Sequence, residues 1–168
     1  MNPFQGDVAM SKPFNALAVA VPLGLAGIVG LPAVADARPV KISTSLKAYG
    51  GNGAYLAIYI TDASGKLQQT VRVAGSKAKY HRSLSAWYRQ SGGRIDGSTG
   101  ASVGSGQALA VSVDIADALI DAGFQIRVDS AVEDMSDIPN DAIVDLKAAN
   151  AGKPVSGKGY VQSLRFDM

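Results

Sequence analysis

Val40, Ile42, Thr44 and Leu46 alternate with Lys41, Ser43, Ser45 and Lys47. A period of two places each set on its own face, so this stretch predicts a half-buried strand. Residues 54–61, AYLAIYIT, are rich in β-branched and aromatic side chains and predict a more central strand. The turn residues Asp62, Ala63, Ser64, Gly65 and Lys66 follow, as in a hairpin. LQQTVRV comes next, with Leu67, Gln69, Val71 and Val73 predicted on one face.

The pattern then changes. Tyr80, Leu84, Trp87 and Tyr88 fall at helical spacing, and Gly92-Gly93 supplies a stop. This predicts one short amphipathic helix, followed by a glycine-rich loop over residues 94–106. Strict alternation returns with Leu109, Val111, Val113 and Ile115, and Phe124, Ile126 and Val128 mark a further strand. AIVDLKA and GYVQSLRFD are two more candidates, separated by a loop over residues 150–157. About seven short strands separated by turns predict an all-β fold, an antiparallel β-sandwich with one inserted short helix.

The N-terminal residues belong to a different regime. Residues 16–31 form an uncharged apolar run, preceded by Lys12 and followed by the small residues Ala33, Ala35 and Ala37. A basic start, an apolar middle and a small-x-small cleavage site predict a secretory signal peptide over residues 1–37, with Met10 as an alternative start. The run is shorter than the ~20 apolar residues of a membrane span, and Pro22 interrupts it. The expectation is an exported, periplasmic single domain over residues 38–168, with no stable membrane anchor after processing.

Composition narrows the chemistry. The chain has 168 residues, no cysteine and one histidine, His81. Disulfides, thiolate catalysis and iron–sulfur ligation are excluded, and a zinc site of the usual kind is not expected. The net charge is +2, but seven bases from Lys66 to Arg94 lie in a stretch without acids between Asp62 and Asp96. Nine acids from Asp114 to Asp145 share their stretch with Arg127 alone. Such asymmetry fits either solvated faces of opposite sign or an anion-attracting surface near the central loop. No nucleic-acid-binding module is recognisable.

The loop over residues 94–106 reads RIDGSTGASVGSG. Its composition is that of a plain connection. It has no Gly-Lys-Ser/Thr ending, and a strand rather than a helix follows, so a nucleotide-phosphate loop is excluded. A third reading is a covalent acceptor site, where small neighbours leave a hydroxyl accessible and glycine lets the backbone bend. The segment Asp96-Gly97-Ser98-Thr99-Gly100-Ala101-Ser102 resembles the acceptor motif of covalently flavinylated bacterial proteins: Asp, two variable residues, Ser/Thr, Gly, Ala, then Thr/Ser. Asp96, Thr99, Gly100, Ala101 and Ser102 match it position for position. The resemblance implies FMN joined by a phosphoester to Ser102, transferred from FAD by a flavin transferase. Threonine is the commoner acceptor in that family.

A wider likeness covers most of the mature chain. AYLAIYITDASGKLQQTVRV, KYHRSLSAWYRQSG, DGSTGAS and AGFQIRVDSAVED resemble the periplasmic domain of unknown function 2271 family. VSVDIADALIDAG stands where that family often has a Trp-Asp-Gly-x-Asp stretch. The resemblance implies an immunoglobulin-like sandwich and a PepSY-type membrane reductase as partner. The expected function is therefore an electron carrier with covalent FMN, relaying electrons to an extracytoplasmic acceptor, in metal uptake for example. Such a protein is the substrate of a transferase rather than an enzyme. A cofactor-free ligand- or protein-binding module is the alternative, and a hydrolase lacks a base other than His81.

Around Ser102, Asp96 and Thr99 are candidates for orienting the loop, and Gly100 for backbone freedom. Trp87 and Tyr88 are candidates for stacking on the flavin, with core packing the competing role of Trp87. Arg94 could balance the phosphoester charge, and His81 could shuttle a proton.

Overall fold

In the computed structural model, which describes residues 36–168, the first alternating stretch becomes β1 (Ala37–Leu46) with Val40, Ile42, Thr44 and Leu46 all buried. The other strands are β2 (Tyr55–Thr61), β3 (Leu67–Ala74), β4 (Ser98–Gly100), β5 (Ala108–Ala116), β6 (Gln125–Ala131), β7 (Asp137–Asp145) and β8 (Val161–Asp167). A 3-10 turn at Ala78–Ser83 and helix α1 (Ser85–Ser91) lie between β3 and β4. Of the expected export segment, residues 1–35 lie outside the described residues, and Ala37 already pairs with Ala116 of β5.

One sheet has the order β5-β1-β8 and the other β4-β3-β2-β6-β7. Their facing sides meet in a shared core. Val40 and Ile42 of β1, Ile115 of β5 and Phe166 of β8 join Leu56, Ile58 and Ile60 of β2, Val128 of β6 and Val144 of β7. The result is the two-sheet all-β sandwich with an inserted helix that the alternation predicts.

Strand β2 is buried along its whole length, because both its faces are covered. Leu56, Ile58 and Ile60 face the sandwich core, while Tyr55, Ala57 and Tyr59 meet Leu84 and Trp87 in a second cluster beneath α1. The N-cap of α1, Leu84, has no capping side chain. Asp129 of β6 serves instead, accepting a hydrogen bond from the Trp87 N–H at 2.8 Å. The same carboxylate accepts from the Tyr59 hydroxyl at 3.0 Å and the Asn140 N–H at 2.7 Å. The Trp87 indole N–H donates to the Thr70 hydroxyl at 2.9 Å, tying helix to β3. A buried carboxylate with three donors is a satisfied one, and here it fastens the helix to the sheet.

Four expectations need correction. Val71 and Val73 do not share a face: Val71 lies in the sandwich core and Val73 beneath α1. The pairing of β2 with β3 shifts register between Ile58 and Tyr59, and such a bulge reverses the alternation. The single predicted helix is a 3-10 turn and an α-helix joined at Leu84. Strand β7 begins at Asp137, ahead of the apolar AIVDLKA run, because Asp137 and Ile138 already pair with Ala131 and Ser130 of β6. Finally, the loop over residues 94–106 contains a strand, β4, which pairs parallel to β3, so the sandwich is not wholly antiparallel.

Candidate functional site

Strand β4 pairs Ser98 with Arg72, Thr99 with Val73 and Gly100 with Ala74. It is the outermost strand of its sheet, so one side of its backbone has no strand neighbour. The sequence permits this pairing because Gly97 has no side chain. A Cβ there would stand 2.2 Å from the Thr70 carbonyl oxygen and 2.5 Å from that of Val71. Asp96 holds the start of the strand, its Oδ1 accepting from the Thr70 N–H at 3.1 Å. This places Asp96 at the opposite end of β4 from Ser102. Six residues of extended chain span about 20 Å.

Past β4 the chain is held at two points. The Gly75 N–H donates to the Gly100 carbonyl at 2.8 Å, and Val103 exchanges two backbone bonds with Ala54, at 2.7 and 2.9 Å. Ala101 and Ser102 lie between these anchors, and both are exposed. The Ser102 hydroxyl rests against Gly53, 2.7 Å from where a Cβ would stand. A side chain at residue 53 would crowd that hydroxyl. The five motif positions therefore form one strip along the sheet edge: Asp96 anchors it, exposed Thr99 and half-buried Gly100 pair with β3, and Ala101 and Ser102 project beyond it.

Gly100 has a second reason to be glycine. A Cβ on it would stand 2.1 Å from an Nη of Arg72. The guanidinium thus lies against the Gly100 backbone, with Nη1 3.4 Å from the Ser98 hydroxyl. The Arg72 Nε is buried and has no hydrogen-bond partner. The ion pairs among the described residues join Arg38 to Asp117, Lys147 to Asp145 and Arg165 to Asp167, and leave Arg72 out. A guanidinium without a carboxylate partner beside a loop hydroxyl is suited to an anion. The sequence contained no sign of this, because Arg72 is one of seven bases in its stretch and meets the loop only through the β3–β4 pairing.

The other candidates divide. Trp87 is fully buried and bonded, which makes it a core residue. Half-buried Tyr88 packs edge-on against Trp87, with ring centroids 6.2 Å apart. His81 is buried, and its Nε2 donates to the Gly75 carbonyl at 2.8 Å. It therefore braces the residue that holds Gly100. Arg94 lies ahead of β4, in a groove with Leu67, Thr70, Gln90 and Asp96. That is the opposite end of the strip from Ser102, whereas Arg72 lies against Gly100.

A cleft of about 270 Å³ opens at the same end of the sheet as Ser102, lined by Tyr55, Tyr80, Glu133, Asp134, Met135 and Asp137, among others. Among the described residues no cluster of His, Asp and Glu is placed to hold a metal ion, and no helix is long and apolar enough to cross a membrane.

No curated protein and no solved structure matches the chain. One family model, described as predicted periplasmic protein (DUF2271), matches residues 37–163, which takes in every strand from β1 to β7, α1, residues 96–102 and the start of β8. The chain thus belongs to the DUF2271 family, a family of periplasmic proteins.

Proposed function

We propose that the protein is a periplasmic electron carrier whose FMN is bound covalently through Ser102. The observation that supports this most strongly is the state of the acceptor strip. Ser102 is exposed between two backbone anchors, and two residues before it the half-buried Arg72, which has no carboxylate partner, lies against Gly100. An exposed edge strand can enter another protein's cleft by pairing along its open side.

The attachment step balances without an added oxidant. The Ser102 Oγ attacks the FMN-side phosphorus of FAD. The bond from that phosphorus to the bridging oxygen breaks, AMP leaves, and the hydroxyl proton passes to a base of the transferase. The phosphoester keeps a negative charge, which the Arg72 guanidinium can meet with charge-assisted hydrogen bonds. The bound flavin supplies one- and two-electron redox chemistry. The protein's own residues hold it outside the membrane and orient it. A PepSY-type membrane reductase is the proposed donor, and an extracytoplasmic acceptor receives the electrons.

The test is co-expression with a flavin transferase, followed by comparison of native protein with Ser102→Ala and Ser102→Thr. Covalent flavin on the native and threonine forms, and none on the alanine form, supports the carrier. Unmodified native protein contradicts it, and a cofactor-free binding module then becomes the better reading.

A further inference from the structure

The cleft beside the acceptor strip has no part in the attachment step, yet several contacts join the two. The Ser102 hydroxyl rests on Gly53, and two residues earlier a Cβ on Gly51 would stand 3.7 Å from the sulfur of Met135. Gly75 bonds to Gly100 on one side and, on the other, lies so close to the Tyr55 ring that a Cβ would collide with it. Met135 and Tyr55 both line the cleft. The segment of residues 51–53 therefore approaches the Ser102 hydroxyl at one end and the cleft-lining Met135 at the other.

The lining is unusual for a surface hollow. Tyr55 and Tyr80 meet edge to face with ring centroids 5.6 Å apart. Met135 is 44% exposed, a flexible thioether at the mouth. It is placed there by the turn between β6 and β7, where Asp134 takes a left-handed conformation with φ of 62° and the Met135 N–H donates to the Val132 carbonyl. Glu133 accepts from the Tyr80 hydroxyl, and Asp134 and Asp137 add carboxylates to the rim. Aromatic rings and a thioether favour a flat, polarisable ligand. The carboxylates can accept from a ring N–H. At about 270 Å³ the cleft lies just below the ~300–1,000 Å³ of sites that enclose whole small molecules, which fits a ring system whose tail stays outside.

We infer that this cleft seats the isoalloxazine ring of the FMN carried on Ser102, with the ribityl chain crossing the Gly51–Gly53 segment. The inference rests on the proposed attachment at Ser102. A seated ring is held against Tyr55, Tyr80 and Met135, with its N3–H directed to the acidic rim.

The experiment uses the full mature protein loaded by a transferase. Intact mass first establishes whether FMN is present, and its absence overturns the attachment and the inference with it. On loaded protein, visible circular dichroism and time-resolved anisotropy of the flavin then report whether the ring is seated. Loaded native protein is expected to show induced ellipticity, and a ring that rotates with the protein. Tyr80→Leu and Met135→Glu are expected to load equally and to lose most of both signals. Met135 is exposed, so its variant reports even if Tyr80→Leu folds poorly. A loaded native protein whose ring tumbles freely, or variants that load and keep both signals, would overturn the seat while leaving attachment intact.

Discussion

The guanidinium of Arg72 lies against the backbone of Gly100, so that a Cβ at residue 100 would stand 2.1 Å from its nearest nitrogen. Gly97 is as tightly enclosed, but by backbone: a Cβ there would meet the Thr70 carbonyl oxygen at 2.2 Å. These two glycines should therefore respond differently to alanine. An arginine tip can swing aside, whereas a paired strand cannot. Gly97→Ala is expected to cost about 1–3 kcal/mol through overpacking and to release β4 from β3. Gly100→Ala should leave thermal stability nearly unchanged while displacing Arg72 and slowing FMN transfer. Thermal melts and a transfer time course on both variants separate the two effects.

Arg72→Ala should fold, since the side chain is only half-buried and makes no ion pair. Its rate of FMN transfer is expected to fall roughly tenfold, the scale of one hydrogen bond to a charged group. Arg94→Ala, at the other end of the strip, should transfer at the native rate. Equal slowing by both would point to general loss of positive charge instead.

Asp129 holds three donors in a fully buried position. Asp129→Ala orphans the N–H groups of Trp87 and Asn140, at about 1–3 kcal/mol for each group left unsatisfied, and leaves the Tyr59 hydroxyl only the Asn140 Oδ1 at 3.2 Å. Against a typical total of ~5–15 kcal/mol, much of the fold's stability is at stake. Asp129→Asn keeps an acceptor oxygen and should cost less. Urea unfolding of the two variants gives the comparison, and loss of the Trp87 environment should appear in its fluorescence.

Alkaline stability offers a separate check. Burial first, and then the Asp129 carboxylate, push the Tyr59 phenol well above its ordinary value. The unfolded phenol loses its proton near pH ~10, while the folded one keeps it. The folded pKa is the raised one, so its contribution is complete below pH ~10 and declines above it, at up to ~1.4 kcal/mol per pH unit. Burial also raises Tyr49 and Tyr160, which add to the same decline. Tyr59→Phe should be less stable than native protein near neutrality, yet lose less stability between pH 10 and about 11.5. Parallel pH profiles for the two proteins would contradict this.

The sandwich was legible where burial has a simple period. β1 alternates from Val40 to Leu46 and β5 from Ala108 to Ile115, and Asp62 closes the β2–β3 turn as its residue type suggests, its Oδ1 accepting from the Ser64 and Lys66 N–H groups. Legibility failed where a neighbour changed the rule. The bulge in β3 divided Val71 from Val73, and helix cover made β2 apolar on both faces. In the strip along the sheet edge, Ser98 to Gly100 have the composition of a loop, and nothing local reveals a parallel edge strand. The pairing partner is β3, with the whole helical insertion between them. The motif drew attention to Ser102. Arg72 could not be located the same way, because its role depends on register rather than on sequence proximity.

The most direct test of the flavin reading is the intact mass of the mature protein after co-expression with a flavin transferase in the periplasm. The account predicts a gain of one FMN less one water, with the modified peptide containing Ser102. A mass equal to that of the unmodified chain, in cells where the same transferase modifies a known acceptor, would contradict it.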